Sequence, residues 1–425
     1  MPDGWVWCSV GGLSSIIQFG LSNSAETSGN YHLLRITDIQ NNAVEWNSVP
    51  FTNIDSKQAE PYLLEKDDIL FARTGATVGK SYLIAEMPVE SVFASYLIRV
   101  KVFKVDSRYI KFFFESLQYW EQITDKSVGI GQPNVNGTKL KEIILPLPPL
   151  AEQHHIVAAI ESSFAVIDEI ERNKLDLQTA VTIAKQKILS LAIRGKLVPQ
   201  DPNDEPAAVL LERIRMEREQ LIKEGKIKRN KSESAITRGD DNSYYDDLPN
   251  SWTIASLSEI CSVLTDGTHQ TPTYSEKGYI FLSSKNVTSG KIDWENVMYI
   301  PQELHNTLYS RIAPELGDIL LAKNGTTGFA AIVDRECVFD IYVSLALIRT
   351  FKQEISPEYL RHIISSEKIQ EHFKGHLKGI GVPNLHLEHI RSAVIPLPPL
   401  AEQHRIVTAI ETAFEQLDNI GSMIV

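Results

Sequence analysis

A chain of 425 residues exceeds what one ordinary hydrophobic core holds, so at least two domains are expected. With 43% hydrophobic and 23% charged residues the composition is that of a globular protein, and no apolar run approaches the roughly 18 residues of a membrane span. Three scattered cysteines, Cys8, Cys261 and Cys337, exclude a disulfide framework or a zinc knuckle and fit the cytoplasm, while a net charge of −12 counts against broad affinity for nucleic acid. A local groove, or cations brought by a partner, can bind DNA against that total.

The N-terminal MPDGWVWCSV lacks the basic start and apolar run of an export signal. Short β-branched and aromatic runs follow, YHLLRI, DILFA, SYLIA and SYLIRV, separated by Gly, Asn and Pro as in a strand-rich domain. Among them stands ARTGATVGKS, residues 72–81, one residue short of the phosphate-loop spacing. Taken as such a loop, its Lys80 would serve an ATP-dependent enzyme; taken plainly, Arg73-Thr74-Gly75 is a turn after a strand. One helix is expected over DSRYIKFFFESLQYWEQI, capped by Asp106 or Ser107, with its aromatic face in the core.

After GIGQPN, which starts at Gly129, and the proline-rich LPLPPL, residues 151–194 contain neither proline nor glycine and permit one long helix. Its apolar residues alternate at three and four: Ile156, Ile160, Ile167, Ile170, Leu177, Val181, Ala184, Ile188 and Leu191. That is a coiled-coil seam on a rod roughly 65 Å long. DEPAAVLLERIRMEREQLIKEG reads as a further helix, with Pro206 in its first turn and Gly225 at its end. KIKRNKSESAITRGDDNSYYDD reads as a linker; its Lys226, Lys228, Arg229 and Lys231 could touch a phosphate backbone, and the plainer reading makes them a solvated tether.

The chain then repeats itself. LPLPPLAEQHHIVAAIE begins at Leu145 and IPLPPLAEQHRIVTAIE at Ile395; DILFARTGATVGK begins at Asp68 and DILLAKNGTTGFA at Asp318; GIGVPN from Gly379 answers GIGQPN. In this ungapped alignment Gly79 and Lys80 fall on Phe329 and Ala330, so the second copy lacks the phosphate-loop lysine and only the strand and turn are common. The seam recurs over a shorter length as Ile406, Ile410, Ala413, Leu417, Ile420 and Ile424. The expected fold is therefore α+β: two β-rich domains in pseudo-two-fold repeat, joined and separated by long antiparallel coiled-coil helices. The domains fall at 1–149 and 246–399, a helical spacer and linker at 150–245, and a short C-terminal spacer at 400–425.

The paired P-L-P-P-L-A-E-Q-H motifs, each opening a long helix and each preceded by a G-x-G-x-P-N loop, resemble the specificity subunit of type I restriction-modification systems over essentially the whole chain. That resemblance implies two target-recognition domains, each reading one half of an asymmetric double-stranded DNA site, with the coiled coil setting the gap. It implies a non-catalytic, cytoplasmic chain with no cofactor of its own. Its partners would be two methyltransferase subunits carrying S-adenosylmethionine, which methylate an adenine in each half-site, and restriction-translocase subunits using ATP and Mg. The second spacer is shorter than that family's usual pattern, which leaves the seam from Leu177 to Leu191 free for another polypeptide or for self-association.

Direct readout needs Arg, Lys, Asn, Gln or Thr near a groove. The candidates are the turns after the D-I-L strands, with Arg73, Thr74, Lys80, Lys323, Asn324 and Thr326, and the loops at Gln132, Asn134 and Asn384. Since the G-x-G-x-P-N loops recur in both copies, they suit phosphate contact or framing of the spacer helix better than reading of unlike bases. His372 and His376 stand four apart beside Glu371, but Gly375 interrupts that helix and H-E-x-x-H is absent, so no metal site is expected. No methyltransferase, helicase or nuclease motif occurs. The alternatives are the ATP-dependent enzyme and a purely structural coiled-coil adaptor.

Overall fold

The computed structural model describes residues 1–87, 89–127, 134–227, 245, 247–288, 290–378 and 383–423. Gln132, Lys228, Arg229, Lys231 and Ile424 lie outside them. The chain divides into two compact units, Met1–Arg172 and Asn173–Val425. The spacer expected over 150–245 is thus shared between the units.

In the first unit an antiparallel four-stranded sheet runs in the order Ser14–Phe19, Leu97–Val102, Ile69–Ala72, Ser81–Leu83. The strand Ile69–Ala72 is apolar at every position because both sheet faces are covered. Ile69 and Phe71 pack with Tyr109, Ile110, Phe113 and Tyr119 of the following helices, whereas Leu70 packs with Leu34, Val49 and Phe93. Leu34 and Phe93 belong to a second sheet, ordered Phe51–Thr52, Tyr31–Leu34, Ser91–Phe93, whose last two strands are parallel. Val6–Ser9 pairs with Ile144–Leu147, so the chain enters and leaves this domain on adjacent antiparallel strands.

The second unit repeats the plan. Cys261–Asp266, Leu345–Thr350, Ile319–Ala322 and Ala330–Ile332 form the four-stranded sheet; Met298–Ile300, Tyr279–Leu282 and Phe339–Ile341 form the three-stranded one; Thr253–Ser256 pairs with Val394–Leu397. It differs by a ten-residue helix, Gln302–Arg311, where the first unit has only the short turn of helix Ser56–Ala59.

The helix expected over residues 106–123 is broken in two, Ser107–Phe113 and Leu117–Ser127. Asp106 caps the first by accepting from the Arg108 N–H. At the break, Glu115 and Ser116 bond back three residues, and the Ser116 hydroxyl then accepts from the Tyr119 N–H and restarts the helix. Competition of a serine side chain for backbone donors is what divides the run.

Leu150–Ala192 is a single helix of 43 residues, and Ala207–Lys223 and Leu400–Ser422 follow. Ala207, Leu210, Leu211 and Ile214 of the linker helix join the second unit's core, together with Leu189, Ala192, Ile193, Ile406 and Ile410. There the two spacer helices lie antiparallel: Gln200 donates to Glu402 at 2.6 Å, while Lys185, earlier in the chain, meets Asp418, later in it.

Candidate nucleic-acid interface

Both units bring together two segments that the sequence marked separately. Thr74 bridges Asn134, and Asn324 bridges Asn384. The N–H groups after each loop asparagine close the same bond, Val135 to the Arg73 carbonyl at 3.0 Å and Leu385 to the Lys323 carbonyl at 2.8 Å. The turn after the D-I-L strand and the end of the G-x-G-x-P-N loop therefore form one surface in each unit. Asn134, Lys80 and Thr326 are exposed on it, and Arg73, Thr74, Asn324 and Asn384 are half-buried. Among the described residues, Arg73 Nε and the side-chain oxygens of Asn324 and Asn384 have no hydrogen-bond partner.

The backbone corrects the ungapped alignment of the two turns. Gly79 has φ 90° and donates to the Ala72 carbonyl; Gly328 has φ 95° and donates to the Ala322 carbonyl. The counterpart of Gly79 is thus Gly328 and not Phe329, because the second turn is one residue shorter. Lys80 is matched by Phe329, since their carbonyls accept from Ala72 and Ala322. The left-handed backbone explains why glycine is kept while its neighbour changes from cation to aromatic ring. In the first turn the N–H groups of Val78, Gly79 and Lys80 point inward, to the carbonyls of Gly75, Ala72 and Thr77.

The cations at the ends of the two strands are held differently. The Arg73 guanidinium lies 4.7 Å over the Phe19 ring and makes one long hydrogen bond, 3.4 Å, to the Ser95 carbonyl. Lys323 is only 5% exposed, and its Nζ lies 2.8 Å from Asp266 Oδ2.

The helix-opening motif is a lock whose parts the sequence did not single out. Trp5 Nε1 donates to Glu152 and Trp252 Nε1 to Glu402, each at 3.0 Å. Gln153 accepts from the Asp106 N–H at 3.0 Å and donates to the Pro148 carbonyl at 2.8 Å; Gln403 does the same with Ser356 at 2.9 Å and Pro398 at 3.2 Å. The recurrence of Trp in PDGW and PNSW beside the recurring Glu-Gln pair was the available signal. Burial pushes the Glu402 carboxyl above its ordinary value, against hydrogen bonds from Gln200 and Trp252 that favour the carboxylate. His154 and His404, on the same motifs, are exposed.

Along the first spacer helix the predicted seam meets protein only near its ends. Ile156, Ile160, Val181, Ile188 and Leu191 are half-buried, while Ile167, Ile170 and Leu177 are exposed, Ile170 to 60%. Val157, Leu189, Ala192 and Ile193 are the buried apolar residues of this stretch, and none was in the predicted seam. In the C-terminal helix Ile406 and Ile410 are buried, Leu417 is half-buried and Ile420 exposed. Among the described residues no cluster of three or more His, Cys, Asp or Glu side chains could hold a metal ion, and no helix is long and apolar enough to cross a membrane.

Two β-rich units built on one plan, each presenting a polar turn-and-loop surface and each locked to a long helix, define a duplicated α+β protein. The sequence model of the type I restriction modification DNA specificity domain matches residues 2–178 and 249–421, and the chain belongs to that family. It is 24% identical over 367 residues to the specificity subunit of the Escherichia coli type I restriction enzyme EcoAI, a match covering 75% of this chain and 62% of that one. To the EcoKI specificity subunit of E. coli strain K12 it is 22% identical over 439 residues, covering 100% of this chain and 85% of the relative. The chain thus spans about three-fifths of the length of the first of these relatives and more of the second. Its fold is similar to that of the HsdS subunit from Thermoanaerobacter tengcongensis, with TM-score 0.56, 16% identity and coverage of 100% and 93% of the two chains. A chain from a structure of type I restriction-modification complex assembly gives TM-score 0.64 at 18% identity, with the same coverage.

Proposed function

We propose that this chain is the non-catalytic DNA-reading subunit of a type I restriction-modification complex, each unit reading one half of a bipartite, asymmetric site. The observation that carries this is a shared frame with unlike surfaces. The strand, the glycine turn, the bridge to the loop asparagine and the Trp-Glu-Gln lock recur, whereas Arg73, Lys80 and Phe19 in one unit stand where Lys323, Phe329 and Asp266 stand in the other. A frame that holds a surface in place while its side chains change is suited to reading two different half-sites.

The long helix sets the separation of the half-sites, and its exposed apolar stretch from Ile167 to Leu177 receives methyltransferase subunits. Those subunits supply S-adenosylmethionine, and the translocase subunits supply ATP and Mg chemistry, in the cytoplasm where the DNA is. With a net charge of −12, affinity has to come from local cations of this surface and from the partners.

Mapping modified adenines in DNA from cells carrying the complete system tests the reading. Methylation in one split motif with unlike halves is expected. Removal of this chain should abolish that methylation; a motif that survives its removal, or an uninterrupted palindrome, would refute the proposal.

A further inference from the structure

We infer that the two units meet DNA through guanidinium groups from different elements: Arg73 in the first unit, and Arg311 rather than Lys323 in the second. This rests on the DNA-reading function above and assigns which side chains of that surface carry it.

Sheet register fixes the correspondence. Phe19 pairs with Ile98, which pairs with Phe71; Asp266 pairs with Ala346, which pairs with Leu321. Phe19 and Asp266 therefore occupy one position, directly across the sheet from the strand whose end carries Arg73 or Lys323. The residue at that position decides what the cation can still do.

Over Phe19 the guanidinium of Arg73 is attracted by the ring face, which consumes no hydrogen-bond donor. Among the described residues its only acceptor is the Ser95 carbonyl, 3.4 Å from Nη1, and it has no ion pair; Nε is buried, so the donors left for a ligand are on the two terminal nitrogens. At the corresponding place Asp266 takes up the charge of Lys323 in a buried pair. The carboxylate also faces a second cation: Arg311 Nη2 lies 3.8 Å from Asp266 Oδ1 and 3.5 Å from its carbonyl, while the side chain remains 52% exposed. The His269 ring also lies 3.4 Å from Asp266 Oδ2, but of the groups around this carboxylate only Lys323 and Arg311 carry a permanent charge; one negative charge between those two positive ones leaves one positive charge outward, and it belongs to Arg311. That residue comes from Gln302–Arg311, the helix by which the second unit differs.

A guanidinium anchored through one of its terminal nitrogens, with further donors left over, matches paired acceptors, which DNA offers as phosphate oxygens or as the O6 and N7 of guanine. The test is binding of the full chain, alone and with its methyltransferase subunits, to a mixed-sequence duplex and to the methylated motif, across a range of NaCl. Arg73→Gln and Arg311→Gln should each weaken binding, whereas Lys323→Gln combined with Asp266→Asn, which removes the buried pair together and leaves the Arg311 charge outward, should not change the salt slope. If the contact is phosphate, each arginine variant reduces the slope by about 0.9 on both duplexes. If it is a base edge, the slope stays and affinity falls on the order of 10- to 100-fold for the motif alone. Arginine variants indistinguishable from wild type, or a slope lowered by the Asp266→Asn, Lys323→Gln double variant as much as by them, would overturn the inference. A double variant that does not fold leaves the two arginine arms to decide. A wild-type chain that binds neither duplex removes the DNA-reading function itself, and this inference with it.

Discussion

A methyl group added at Gly20 would stand 2.2 Å from the Phe93 carbonyl oxygen, and one at Gly267 would stand 2.0 Å from that of Ile341. Both glycines end the strand that carries Phe19 or Asp266, so close backbone approach holds that position in place. Gly20→Ala should destabilise the first unit by about 1–3 kcal/mol, the usual cost of overpacking, in urea unfolding. His362 gives a residue-scale prediction in pH. Burial pushes its imidazole from 6.5 down to about 3, and neighbouring Arg361 adds to the shift; Glu411, 3.8 Å away, is the facing carboxylate. The folded unit keeps this ring neutral, whereas the unfolded chain binds a proton below 6.5. Its contribution is therefore intact above pH 6.5 and is lost progressively as pH falls towards 3. The same place in the first unit holds Phe112, against Phe164, as His362 stands against Phe414. His362→Phe should flatten the pH dependence of the second unit's stability between pH 6.5 and 4, measured by denaturant titration.

At the scale of elements, the glutamine of each helix-opening motif joins the first turn of the spacer helix to the domain behind it. Gln403→Ala would leave the Ser356 N–H and Pro398 carbonyl without this partner, at about 1–3 kcal/mol for each buried group orphaned. Much of this level was legible in the sequence. The repeat located the D-I-L strand in each of the two four-stranded sheets, and the proline- and glycine-free stretch located the long helix. The direction in which Gln153 and Gln403 face was not legible, because a polar pair in a helix's first turn looks the same whether it faces solvent or a neighbouring backbone. The seam shows the opposite limit. Its spacing was readable, but a heptad pattern states that a face is apolar and leaves open which neighbour covers it. So Ile406 and Ile410 are buried while Ile167 and Ile170 are not. The one-residue shortening of the second turn was hidden too, because a gap inside a short glycine turn can be placed only when backbone bonds show which residues correspond.

For the whole molecule, each unit owns its interior. The cores around Phe71 and Leu34 use residues of the first unit only, and those around Leu321 and Leu320 use residues of the second only. Unfolding followed by calorimetry or urea should therefore resolve two transitions. Gln153→Ala should lower the first unit's and leave the other unmoved, with Gln403→Ala doing the reverse. A single transition displaced equally by both variants would show that the units do not unfold independently.

The adjacent entry and exit strands, Val6–Ser9 beside Ile144–Leu147 and Thr253–Ser256 beside Val394–Leu397, carry a last consequence. Everything between those strand pairs is strung from two neighbouring points, like a bead on a clasp. Under the proposed function, a replacement segment that fits the clasp would change the text being read without disturbing the rod, so exchange of a whole cassette would alter specificity as a point substitution would.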